Sequence, residues 1–227
     1  GIKSEVDLFC EKNLPLQTKD SKISKDYDAI IGAQTVMWEG EEVTITQLAP
    51  VLLQTDRDKR EKAWRLAAER RLKDREKINK IWQKILEVRI KIADNSGYDN
   101  YRSWRWEYLK RFDYTPEDCL NFHEGIEKVI MPFVNKLIKK RKKQLGLDML
   151  KPWDLSVDPL NREPLAPFVN ASELEDKCHN IFKAVDSELG NHFSIMRKEK
   201  LLDLANRKGK APGGYCTEYY HRRLPFI

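Results

Sequence analysis

The stretch Lys208-Gly209-Lys210-Ala211-Pro212-Gly213-Gly214-Tyr215-Cys216 decides how the chain is interpreted, because the helical pattern of the preceding sequence ends there. Three glycines and one proline within nine residues are typical of a loop. The apolar run Leu224-Pro225-Phe226-Ile227 follows, and a short apolar run after such a loop favours a strand. We therefore predict a loop that leads into the start of a strand at the C-terminus.

Upstream of this loop, apolar residues at helical spacing predict a mainly α fold with an elongated multi-helix body. The longest helix is expected over about 56–95. One face of it is formed by Ile78, Ile81, Trp82, Ile85, Val88 and Ile92. An unbroken helix of this length would span about 60 Å, which implies either an elongated helical body or a kink whose position the sequence does not give. Short β-prone runs around Gly40 predict a small β-hairpin near residues 36–45.

The second half of the chain begins with a strong helix-start signal. Thr115 is an N-cap candidate and Pro116 fits the first helical position. Pro132 is expected to kink this helix and Gly146 to end it. Prolines make residues 147–169 an extended crossover, with a possible short strand at 153–155. We divide the chain into an N-terminal helical region, 1–112, and a second helical region, 113–227.

The composition indicates a folded, helix-rich chain. Charged residues make up 34% and hydrophobic residues 41%, and no run approaches the roughly 20 apolar residues that cross a bilayer. The 4 cysteines are scattered without a C-x-x-C pair, so we expect reduced thiols and a cytoplasmic protein. The net charge is +6, but 42 basic residues alternate with 36 acidic ones, which favours a solvated helical surface over a nucleic-acid footprint.

Residue spacing predicts neither a catalytic residue nor a metal ligand in this chain. The segment His123-Glu124-Gly125-Ile126-Glu127 resembles the zinc motif H-E-x-x-H, but Glu127 stands where the second histidine belongs. Cys178 and His179 are adjacent on a predicted helix, so their side chains diverge by about 100°. No serine, histidine and aspartate set can be assigned from spacing either.

The glycine pair of the loop is a candidate binding feature. Gly213 and Gly214 allow another backbone to approach closely or allow a positive φ. A following strand with exposed amides could receive an extended peptide by strand addition. The alternative is a helix-to-strand loop with no ligand, and spacing alone does not separate the two interpretations.

Four blocks of the sequence resemble oligoendopeptidase F and its thimet-oligopeptidase-like relatives, which are zinc metallopeptidases. The blocks occur in the family's order and spacing and extend over nearly the whole chain. They are Gly97-Tyr98-Asp99-Asn100-Tyr101; residues 131–148 with Trp153-Asp154-Leu155; Leu202-Asp203-Leu204; and residues 207–216 with Pro225-Phe226-Ile227. The segment Thr217 to Arg223 fits the family less well, so the resemblance gives no geometry around His221.

The resemblance implies a helical molecule with a deep channel that cleaves short peptides. The family's zinc site is H-E-x-x-H plus a glutamate from the next helix, and the motif is expected a few tens of residues beyond Ile227. Residues 113–227 would then be the truncated start of the catalytic domain. No zinc and no activity are expected in this chain alone. The resemblance places Gly213, Gly214, Tyr215 and Cys216 on the substrate-facing loop and strand.

Two alternatives stay open at this point. The chain could be a non-enzymatic helical binding protein whose basic surface meets acidic partners or nucleic acid, or it could be a complete, zinc-free relative of the peptidases. The peptidase interpretation expects short peptides as partners, no nucleic acid and no membrane. It also expects self-association through an exposed edge at residues 215–227. An H-E-x-x-H motif encoded shortly after Ile227 would favour it.

Overall fold

The computed structural model describes residues 2–227 and confirms a mainly α fold with two small hairpins. The helices are α1 (Ile2–Leu8), α2 (Leu14–Gly32), α3 (Arg57–Leu72), α4 (Arg75–Asn95), α5 (Tyr101–Tyr108), α6 (Pro116–Gly125), α7 (Met131–Gln144), α8 (Ala171–Val185) and α9 (Ser187–Lys198). The strands are β1 (Thr35–Trp38), β2 (Glu41–Thr44), β3 (Thr217–Tyr219) and β4 (Leu224–Phe226). Across residues 2–227, no helix is both long and apolar enough to cross a membrane.

The first hydrophobic cluster confirms most of the predicted apolar face of α4, but Trp82 is 55% exposed and lies outside the cluster. Ile85, Val88 and Ile92 pack there with Leu8 of α1 and Trp104 of α5. Their side chains are almost fully removed from water, and each contributes roughly 1.5–3 kcal/mol by burial. This cluster joins α1, α2, α4 and α5 into one unit.

The second hydrophobic cluster lies under the predicted hairpin. β1 pairs antiparallel with β2, and Glu39 and Gly40 form the two-residue turn with φ of 51° and 95°. Both values lie in the left-handed region that such turns need, which glycine adopts at little cost. Val36 of β1 packs against Ala63 of α3 and against the 3₁₀ helix Thr46–Leu53.

The single helix expected over about 56–95 is wrong, because the chain turns at Lys73 and Asp74 between α3 and α4. Asp74 is buried, and its carboxylate accepts hydrogen bonds from Gln34 at 3.0 Å and from Arg70 at 2.5 Å. The Arg70 bond spans one helical turn and could also form in a continuous helix, whereas the Gln34 bond depends on the tertiary fold. The sequence pattern did not contain this information, since Gln34 lies 40 residues away.

The expected strand at 153–155 is also wrong, because Pro152–Asp154 forms a 3₁₀ turn. Asp154 is fully buried and receives two hydrogen bonds from Arg57, at 3.0 and 2.9 Å, and one from Arg60 at 3.2 Å. Arg141 of α7 donates to the Asp154 carbonyl at 2.9 Å. We call Arg57, Arg60, Arg141 and Asp154 the arginine clamp; it ties α3 and α7 to the crossover.

α6 and α7 form one long helix joined by a π-helical segment, Ile126–Ile130. Thr115 caps its start, with the reciprocal Thr115–Asp118 hydrogen bonds of a capping box. This wider turn lies directly before Pro132, where the kink is expected. Because Pro132 has no N–H, the regular helical hydrogen bond is absent there, and the π segment absorbs the irregularity.

Candidate functional site

The C-terminal stretch predicted to be a loop and strand is a loop followed by a hairpin. β3 pairs antiparallel with β4, with Thr217 opposite Phe226 and Tyr219 opposite Leu224. The far edge of β4 is also covered, because Ile227 donates to the Leu201 carbonyl at 3.0 Å and accepts from Asp203 N–H at 2.7 Å. Among the described residues, β3 pairs on one edge only, and all three of its residues are exposed.

The first half of the glycine loop, residues 203–210, is held together by bonds among its own side chains and carbonyls. The Asp203 carboxylate accepts two hydrogen bonds from Arg207, at 2.6 and 3.0 Å. Lys210 lies 3.4 Å from the same carboxylate and donates to the Asp203 and Ala205 carbonyls. The Arg207 hydrogen bonds lower the pKa of Asp203 to about 2, and Lys210 adds to the effect. A carboxylate shared by two cations closes residues 203–210 into a compact turn.

The same half of the loop is fixed to the N-terminal region. Gly209 N–H donates to the Gly32 carbonyl at 2.7 Å, and a Cβ on Gly32 would lie 3.1 Å from the Lys210 backbone. On β2, Thr44 donates to the Asn206 side chain at 2.5 Å, while Lys208 donates to Glu42 at 2.7 Å. Strand β2 and the end of α2 therefore position this loop.

The predicted substrate-facing residues lie in the free half of the loop. Gly213 has a φ of 115°, a conformation that L side chains rarely adopt, and nothing lies near its Cβ position. Gly214 is exposed, Tyr215 is 67% exposed with its ring 6.1 Å from that of Phe226, and Cys216 is an exposed free thiol. The structure thus brings the four residues into one solvent-facing segment directly before β3.

The anchors of residues 206–209 could not be found from the sequence. Gly32, Glu42 and Thr44 carry no motif, and Thr44 lies 162 residues from Asn206. The one available signal was Gly32 itself, because a glycine at the end of an apolar helix can mark a close backbone approach.

A serine–histidine pair also appears that spacing did not predict. His179 of α8 lies 2.8 Å from the Ser194 hydroxyl of α9. That hydroxyl donates to the Gly190 carbonyl of its own helix at 2.8 Å, and the His179 ring stacks on Phe193. The pair therefore links α8 to α9.

The described residues do not provide a zinc site. Within residues 2–227, no three His, Cys, Asp or Glu side chains lie close enough together to hold a metal ion. His123 of α6 is exposed, and its zinc-like motif runs into the π segment. The donor set that Zn²⁺ needs, usually three or four such ligands, is therefore not supplied by this part of the chain.

Comparison with known proteins gives a family and a fold. Three solved structures of the same fold cover 99% of this chain: an oligoendopeptidase F from Bacillus anthracis str. Ames (24% identity, TM-score 0.89), PZ peptidase A with an inhibitor (28%, 0.90), and a second oligoendopeptidase F structure (24%, 0.90). The chain spans about 40% of the length of these relatives, 41%, 40% and 40% in turn. No curated protein matches the sequence. The sequence model of Peptidase family M3 matches residues 51–226, and the chain belongs to that family.

Proposed function

We propose that this chain is part of a zinc-dependent oligoendopeptidase that hydrolyses peptide bonds in short peptides. Its own contribution is one wall of the peptide-binding cleft, formed by Gly213, Gly214, Tyr215 and Cys216 together with β3. The observation that carries the proposal is the contrast within one loop. Asn206, Lys208 and Gly209 are fixed to α2 and β2, whereas the segment after Ala211 is exposed and leads into a strand with a free edge.

Strand addition explains how this wall would bind a peptide. An extended peptide can hydrogen-bond to the free edge of β3, which makes recognition depend on the peptide backbone. Gly213 and Gly214 have no side chains, so the peptide backbone can come close to the loop. The exposed Tyr215 ring offers an apolar surface for one peptide side chain. Cys216 is then a wall residue and not a nucleophile.

Zinc is part of this proposal because the chain belongs to Peptidase family M3. No group of metal-binding side chains within residues 2–227 supports it. We place its ligands outside the part of the chain described here, and we expect the chain by itself to bind peptide without cleaving it. A cytoplasmic location is part of the same proposal, because all 4 cysteines are free thiols, as a reducing compartment would keep them.

Peptide binding can be measured by titrating the ¹⁵N-labelled chain with a short apolar peptide of about six residues. The expected result is shifts confined to the amides of residues 213–219. Gly213→Val should weaken binding, because valine strains a backbone with φ of 115°. Gly125→Val is the control at an open glycine far from the loop in sequence. Shifts spread over other amides, or no binding at all, would contradict the proposal that these residues form a wall of the peptide-binding cleft.

Catalysis is tested by a quenched-fluorescent peptide assay on this chain and on the full natural protein, each with and without a zinc chelator. We expect chelator-sensitive cleavage by the natural protein and none by the chain alone. Chelator-sensitive cleavage by residues 1–227 would disprove the assignment of the metal ligands to another part of the enzyme.

The basic-surface alternative gains no support from the ion pairs. Arg60, Arg89 and Arg197 each face carboxylates of their own chain. These three cations are not free for phosphates. The 42 basic residues also alternate with 36 acidic ones, so we expect no retention on DNA at physiological salt.

Two further parts of the proposal concern organisation. The division at 112/113 is kept, since both hydrophobic clusters draw their buried residues from Leu8 to Trp104.

Self-association through residues 215–227 is also kept, because Tyr215, Tyr220 and Ile227 remain exposed there. Tyr220→Asp should then reduce any association that depends on this edge.

A further inference from the structure

Asp203 bonds to two separate parts of the C-terminal region at once. Its N–H donates to the Ile227 carbonyl at 2.7 Å, at the end of β4. Its carboxylate accepts two hydrogen bonds from Arg207 and lies 3.4 Å from the Lys210 ammonium. The same ammonium also donates to the Asp203 carbonyl. Asp203 therefore joins the hairpin of β3 and β4 to the half of the glycine loop that is anchored on α2 and β2.

The stretch between these two parts has little that holds it in place. We call residues 211–216 the bridge. Within residues 2–227, the backbone of the bridge makes no hydrogen bond to the rest of the chain. Gly213 and Gly214 also leave it more backbone conformations than other residues would. The position of the bridge is therefore set by its two ends, at Lys210 and at Thr217.

Both ends of the bridge lead back to Asp203. Lys210 contacts Asp203 directly. Thr217 pairs with Phe226 in the hairpin, and the next residue, Ile227, accepts the Asp203 N–H. The bridge thus closes a ring of segments in which Asp203 fixes the distance that the bridge has to span. A chain segment with two fixed ends has fewer conformations to lose than one with a free end.

We propose that Asp203 is a positioning residue for peptide binding, because it holds the two ends of the bridge at the separation that presents the bridge to the peptide. Asp203 acts through Lys210 and Ile227 and touches no peptide itself. Its role rests on the proposed function, since the bridge contains the four residues of the proposed wall. A peptide that meets a disordered bridge loses affinity, because it has to order the bridge on binding.

This role separates peptide affinity from overall stability. The side chains of Asp203 and Arg207 are 37% and 58% exposed. Exposed ion pairs contribute little to the stability of the fold. We therefore expect Asp203→Ala to leave the melting temperature of the chain nearly unchanged and to weaken peptide binding. A residue that only supports the fold would change the melting temperature as well.

The first test measures the mobility of the bridge in the ¹⁵N-labelled chain without peptide. Asp203→Ala should lower the order parameters of the amides of residues 213–216, because the Lys210 end is released. The matched control is Asp158→Ala. Asp158 also pairs with an arginine four residues further on, Arg162, and this pair lies outside the loop. The control should leave the bridge unchanged.

The second test titrates the same variants with the short apolar peptide. Asp203→Ala should raise the dissociation constant about tenfold, and Asp158→Ala should not change it. Lys210→Met should also weaken binding. The double variant of Asp203→Ala and Lys210→Met should bind no more weakly than the weaker single variant, since both substitutions break the same contact. Two unrelated structural defects would instead add.

The outcomes distinguish this role from the proposed function. If the unmodified chain binds no peptide, the wall of the peptide-binding cleft is disproved, and the role of Asp203 in peptide binding with it. If the unmodified chain binds and Asp203→Ala binds equally well, only the role of Asp203 is overturned. Unchanged order parameters in the bridge, or additive effects of the two substitutions on the dissociation constant, would overturn it too.

Discussion

At the scale of single residues, Asp154 has the largest expected effect on stability. Its side chain is fully buried next to Arg60, and Arg57 donates a hydrogen bond to each of its two carboxylate oxygens. Asp154→Asn removes the counter-charge of a buried guanidinium, which costs about 3–5 kcal/mol of the unfolding free energy. Urea denaturation measures the loss. Glu61→Gln is the control, because its pair with Arg65 is exposed and contributes less than about 1 kcal/mol.

The same residue predicts an acid-sensitive stability. Burial by itself raises the pKa of Asp154, but hydrogen bonds from Arg57, the Lys151 N–H and Arg60 outweigh it and hold the pKa at about 2. The unfolded value is about 3.9, so the contribution is complete above pH 4 and is lost as the pH falls through 2. We expect a loss of about 2–3 kcal/mol in urea unfolding over that window. Asp154→Asn should flatten the plot of unfolding free energy against pH between pH 4 and pH 2. Parallel plots for the two proteins would show that Asp154 is not the source of the acid sensitivity.

Local signals at single residues were readable from the sequence, and distant partners were not. Thr115 caps α6 as predicted, and Gly146 adopts the expected positive φ of 64° after α7. Both depend on neighbours within a few residues. The arginine clamp joins residues 94 and 97 positions apart, and no periodicity encodes which arginine reaches which carboxylate.

At the scale of elements, the contact between the end of α2 and the glycine loop is testable by one methyl group. Glycine to alanine in a helix normally stabilises by about 0.5–1 kcal/mol. At Gly32 the added Cβ would lie 3.1 Å from Lys210 backbone atoms, which cannot rotate away. We expect Gly32→Ala to destabilise the protein and shift the amides of Gly209 and Gly213.

Gly125→Ala is the matched control for this prediction. Gly125 ends α6, and nothing lies within 4 Å of its Cβ position. It should therefore show the ordinary stabilisation in a thermal melt, with no change in the loop amides. Equal effects of the two substitutions would mean that α2 does not position the loop.

Element types were predictable wherever one periodicity dominated, as for the α4 face and the first hairpin. Element boundaries failed where a tertiary contact decides. In the turn after α3, Asp74 binds Gln34 from 40 residues away, and in the turn at residues 152–154 Asp154 enters the clamp. For the loop, the positive φ of Gly213 was predictable from its glycines, but its anchoring to Gly32 and Glu42 was not.

At the scale of the whole molecule, the arginine clamp predicts where the chain can be divided. Residues 1–112 contain both hydrophobic clusters but not Asp154 or Trp153, whose ring packs 5.5 Å from Trp64. A piece ending at 112 leaves Arg60 without its carboxylate, whereas a piece ending at 160 keeps the clamp. We expect 1–160 to be more stable than 1–112 by about 3 kcal/mol in urea unfolding followed by tryptophan fluorescence. Equal unfolding free energies would show that the N-terminal region is complete without the crossover.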